Sequence, residues 1–326
     1  MNKELDLLLA DKVFEKIPAD KNAIEYLMDK LDLSRKSVYR RRKGELSFTF
    51  EEISILSKEL GFSVDELVAK SNENQAIFNL NTDSFFDPKE TFILMLEKHL
   101  DFYRKSISAK SFYGAFTVNR ILPIFALSST KLFKFFYYMW MHQGYNVPLN
   151  FRYADMQFPS EILTLSQKAW EYARHVPSTT IIADKMVFKN IFMEFEYYYK
   201  RKLLTKEDFM TLADELLAYI KKTETVTSLG SNEYEAQYSI YLSKLNIASN
   251  SCYFRIDEDI ESSFWVFGTS PIYTSNSTVF TSHKKWLDSL KKYSTLASQS
   301  NELLQSEFFN EQYKFVTEST ERVLKE

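Results

Sequence analysis

Residues 30–43, KLDLSRKSVYRRRK, hold seven cationic side chains (Lys30, Arg35, Lys36, Arg40, Arg41, Arg42 and Lys43) against one carboxylate, Asp32. A guanidinium can fork onto a carboxylate, a phosphate or the O6/N7 edge of guanine, and an ammonium holds phosphate as a point charge. The segment's local charge is +6, whereas residues 1–75 as a whole hold 13 basic and 15 acidic residues. A cationic strip on an otherwise acidic body turns one face of a domain towards a polyanion. At about 100° per residue, a helix with Val38 turned inward carries Lys36, Tyr39, Arg40 and Lys43 on its outward half. Arg41 and Arg42 then fall nearer the inward edge, where their stems can lie along apolar surface. A solvated face or a localisation signal is the plainer account of a basic run, and helices on both sides of it favour a binding surface.

Those helices are marked by local chemistry. The first covers about 3–16 and is broken by Pro18. Asn22 caps a second, with Glu25 three residues on, and Ser34 opens the third. Thr49 with Glu52 and Ser63 with Glu66 form two further capping boxes. Ile53, Leu56 and Leu60 share one helical face, and Gly61 ends that helix. The expectation is a four- or five-helix domain over 1–70 and a polar linker, SNENQ, at 71–75.

Ile24 to Leu67 resembles the helix-turn-helix of Cro/C1-type bacterial repressors. The matching marks are Leu27, the turn Asp32-Leu33-Ser34, Val38, Gly44 and the ending Leu60-Gly61-Phe62-Ser63…Leu67. The resemblance implies a DNA-binding domain whose base-reading residues fall on Arg35, Lys36 and Arg40. It puts phosphate contacts at Lys43 and the backbone around Gly44, with Tyr39 beside them. The sequence departs from the family's usual residues at Ile24, Met28, Arg41 and Arg42; the two arginines imply a more electrostatic mode of binding. SVYRRRKGE, with KLFKFFYYMW at 131–140, PSTTI at 177–181 and KYSTLAS at 292–298, also resembles long regulators common in Bacteroidetes.

Residues 76–326 hold 24 of the 28 Phe, 18 of the 20 Tyr and all four Trp. Helical patterns cover about 88–106, 129–143, 160–175, 181–202 and 205–222, and two segments follow within 279–325. Between about 235 and 274, three aromatic and β-branched runs separated by Asn, Ser and Asp read as a small antiparallel sheet insert. The fold expectation is therefore mainly α: a helix-turn-helix domain and a larger helical domain, 76–326, for sensing or oligomerisation. One recognition helix discriminates few base pairs, so a homodimer on double-stranded DNA is expected. KLFKFFYYMW and SEFFNEQYKF are the candidate dimer segments, and the aromatic load leaves room for a small-molecule or protein effector.

Other classes find little support. The net charge of −3 rules out a globally basic nucleic-acid binder, and a single Cys252 rules out an internal disulfide. His99, His142, His175 and His283 lack metal spacing, and no Gly-rich phosphate loop occurs. Neither cofactor, metal nor catalysis is expected. Asp257, Glu258, Asp259 and Glu261 read as a polar hairpin turn. Tyr197 to Lys202 reads as a helix end whose cations complement the dipole. The run 121–141 has spanning length but carries Lys131 and Lys134 at its middle, and the first sixteen residues do not read as a secretory leader. A cytoplasmic protein without membrane association is expected. The rival class is an interaction scaffold that keeps the helix-turn-helix as a packing module.

Overall fold

The computed structural model describes residues 3–18, 20–64, 75–80, 87–145, 147–267 and 270–326. The chain divides into two compact units, 1–77 and 78–326. In the first, helices α1 (Lys3–Lys16), α2 (Ala23–Leu31), α3 (Arg35–Arg42) and α4 (Phe50–Leu60) enclose Leu9, Val13, Leu27, Val38 and Leu56. Beyond Val64, the fifth helix expected from Ser63 and Glu66 lies outside the described residues, as does all but the last residue of the linker 71–75.

The second unit is built on an eight-stranded mixed sheet, which corrects the expectation of a small antiparallel insert. Its strands are β1 (Asn79–Leu80), β2 (Phe112–Val118), β3 (Ser178–Ala183), β4 (Gln237–Ser243), β5 (Ser251–Ile256), β6 (Asp259–Phe267), β7 (Ser270–Thr274) and β8 (Ser294–Leu296). The spatial order is β1-β7-β6-β5-β2-β3-β4-β8. β2, β3 and β4 pair in parallel, with Ala115 opposite Thr180 and Ile181 opposite Ile240. The β5-β6-β7 meander joins antiparallel to β2, and β8 joins antiparallel to β4. Parallel strands need helical crossovers, so their runs are short, apolar and far apart. FYGAFTV meets that description, whereas STTIIA is apolar only over Ile181–Ala183. The helix expected over 181–202 begins instead at Val187, and Ile181–Ala183 complete β3.

Helices α5 (Pro88–Ser108), α6 (Thr130–Gly144), α7 (Ser160–Ala173), α8 (Val187–Lys200), α9 (Lys206–Leu229) and α11 (Glu302–Lys325) contribute to one large core. Alternation divides the sheet residues between two faces. Val118 and Ala183 join that core, whereas Ala115, Ile182 and Tyr253 pack with Phe280, Leu287 and Leu290 of α10 (Ser277–Lys292). α10 links β7, near one edge, to β8 at the other. Its sixteen residues span about 24 Å, which suits a sheet crossing of about 29 Å from β7 to β8.

Both segments offered as dimer surfaces lie substantially in this core. In KLFKFFYYMW, every residue from Leu132 to Trp140 except Lys134 is buried; in SEFFNEQYKF, Phe308 and Phe309 are. Ser129 caps α6, and its Oγ donates to Glu215 at 2.7 Å. Lys134 lies 4.7 Å from the Tyr153 ring centroid. Among the described residues no helix is long and apolar enough to cross a membrane.

Candidate nucleic-acid interface

The basic run is placed by two turns and a core. Asn22 Oδ1 accepts from the backbone N–H of Ile24 and Glu25 at the start of α2. At its end Asp32 adopts φ 50°, in the left-handed region, and its N–H and that of Leu33 both reach the Met28 carbonyl. Asp tolerates that conformation better than most side chains. Ser34 then caps α3, its Oγ accepting from Ser37 N–H at 3.3 Å. Leu27 is fully buried and Val38 is 1% exposed, so the first helix of the pair and the second share one apolar seam.

With Val38 inward, Arg35, Lys36, Tyr39, Arg40, Arg42 and Lys43 are exposed. Arg35 lies 4.0 Å from Glu25, with both side chains more than 60% exposed, a geometry worth little in water. Among the described residues Lys36, Arg40 and Lys43 make no ion pair of 4.0 Å or less. Arg42 covers the Phe14 ring, its guanidinium carbon 4.8 Å from the centroid. Gly44 is buried at φ 64° and closes the helix: its N–H reaches Arg41 O and that of Glu45 reaches Arg40 O, each at 2.9 Å. The Gly44 N–H is thus engaged internally, and the outward cations are what this end of α3 offers to a phosphate.

Arg41 is the exception in the run. Its side chain is 6% exposed, and it forks onto Glu52, with Nη2 at 2.7 Å from Oε1 and Nε at 3.2 Å from Oε2. Nη1 donates to Ser37 Oγ at 2.5 Å. Glu52 Oε2 also accepts from Thr49 N–H at 2.7 Å, which completes the capping box of α4. One carboxylate therefore caps α4 and ties it to α3. The sequence marked Glu52 only as a cap; Arg41 at a position the resembling family fills with an apolar residue was the available signal for its second partner. The more electrostatic mode expected of Arg41 and Arg42 together is not what their placement provides, because Arg41 is internal.

Of the remaining candidates, Asp257 and Lys200 make structural contacts. Asp257 and Glu258 form the β5–β6 turn, with Asp257 at φ 50° and its Oδ1 accepting from Ser111 N–H at 2.8 Å. Glu261 lies beyond the turn, inside β6. Lys200 at the end of α8 pairs with Glu196 at 3.0 Å and Glu326 at 2.7 Å. Among the described residues no group of three or more His, Cys, Asp or Glu is arranged to hold a metal ion. No family model, curated protein or solved structure matches this chain.

Proposed function

We propose that the chain is a sequence-specific DNA-binding regulator of transcription that reads the major groove with α3 and binds as a homodimer. The observation that carries this reading is the division of α3: Val38 and Arg41 hold it to the first unit, while Arg35, Lys36, Tyr39, Arg40 and Lys43 stand exposed along it. Arg35, Lys36 and Arg40 are assigned to base edges, and Lys43 with Tyr39 to phosphates. Two copies would meet half-sites about 34 Å apart, one turn of the duplex.

The test is selection of bound fragments from a genomic library, followed by titration on the recovered site. Arg40→Ala should cost about 1–3 kcal/mol and relax base choice at one position. Lys43→Ala should weaken binding to all sequences alike and lower the salt slope by about one per protomer. Recovery of no common sequence, or unchanged affinity in both variants, overturns the reading.

A further inference from the structure

Between the sheet and the helices of the second unit lies a cavity of about 1090 Å³, just above the usual range of about 300–1,000 Å³ for ligand pockets. Its floor is the sheet face opposite α10, with Phe116, Ile181, Ile240, Phe254 and Trp265 presented by alternation from β2, β3, β4, β5 and β6. α5 and α9 supply walls. Such a floor suits a lipophilic body.

The polar groups set into it select the other end of the ligand. Glu261 projects from β6 into the cavity, and its Oε1 accepts from Ser263 Oγ at 2.8 Å. Burial holds this carboxyl above its usual range, against the opposing pull of Ser263 and of Lys98. His99 Nδ1 lies 2.7 Å from the Met95 carbonyl, which can only accept, so Nδ1 carries the proton. Burial keeps the ring neutral, and Nε2 is therefore an acceptor. Around the lining, five carboxylates (Asp101, Glu233, Glu258, Asp259 and Glu261) outnumber three lysines, one of which, Lys105, already pairs with Asp101 at 2.8 Å. Acceptors and net negative charge over an aromatic floor match a cation that donates hydrogen bonds.

We propose that this cavity is a binding site for a lipophilic amine, with the apolar body on the sheet face and the protonated nitrogen at Glu261. A carboxylate away from water gains most from a charged donor, because the pair is weakly screened there. The site stands on the second unit alone, so its failure leaves the DNA reading untouched.

Dansylcadaverine, a fluorescent primary amine, tests it on the full chain, beside its N-acetyl derivative and an analogue with a carboxyl group in place of the amine. The amine should bind at least about tenfold more tightly than either of the others. Glu261→Gln should weaken the amine by about tenfold and the neutral probe by less than about twofold. Thr179→Trp, which fills the cavity from β3, should weaken all three, with the far-ultraviolet circular dichroism of each variant checked for the native fold. Equal binding of the three probes by the unmodified protein overturns the amine class. Failure of every probe to bind at about 100 µM, or binding unchanged in both variants, overturns the site.

Discussion

Removing the Arg41 guanidinium leaves Glu52, itself only 13% exposed, without its principal cationic partner. Arg41→Ala should therefore destabilise the first unit by about 2–4 kcal/mol, because a buried carboxylate loses its counter-charge and a void opens beside Phe48. Arg41→Leu restores apolar volume and should cost less. In both variants the DNA affinity of the folded fraction should change by less than about twofold, in contrast to Arg40→Ala. Chemical denaturation paired with titration on a selected site separates the two effects; a loss of affinity in Arg41→Leu as large as in Arg40→Ala would return Arg41 to the interface. Neighbours in the chain thus have different partners, and only part of that was legible in the sequence. Helical phase from Val38 put Arg41 towards the inward edge, but its partner sits eleven residues away across a turn, where periodicity says nothing about side-chain reach.

α10 is held to its face of the sheet partly by a buried polar chain. His283 Nε2 lies 3.0 Å from Ser251 Oγ, which lies 2.8 Å from Thr117 Oγ1. Phe264 packs 4.5 Å from the imidazole, centroid to centroid. Burial lowers the His283 pKa from 6.5 to about 4. The unfolded chain takes up a proton as pH falls through 6.5, and the folded chain resists until near 4. This stabilisation is complete above the unfolded value and is lost as pH falls through that window, by on the order of 2–3 kcal/mol for a ring only 5% exposed. His283→Gln, which keeps a donor near Ser251 and cannot titrate, should lose less melting temperature than the unmodified protein between about pH 7 and about pH 4.5. Equal losses would show that the ring takes up its proton as readily in the folded chain as in the unfolded one. At this scale the sequence was uneven evidence. Asn22, Ser34 and Thr49 announced their helices because a cap needs only three or four neighbouring residues. β2 and β3 did not announce themselves, because their partners lie on strands 59 or more residues away and their runs have no period to distinguish them from buried helix.

The chain's formal charge is −3, so the proposed attraction to DNA rests on the placement of charge on the first unit rather than on its total. The first unit's cluster draws on residues 9–64, and the largest cluster of the second draws on residues 92–324. A domain of this smaller size buries a lower fraction of its surface and is the more marginal of the two. All four tryptophans, Trp140, Trp170, Trp265 and Trp286, belong to the second unit, whereas both units contain helix. Heating the intact chain should therefore lower the helical circular dichroism signal before tryptophan fluorescence responds. Arg41→Ala should move the early step to lower temperature and leave the fluorescence transition in place, which widens the gap. Coincident transitions in the unmodified protein, or a fluorescence transition that follows the Arg41 substitution, would mean that the two cores unfold as one cooperative body.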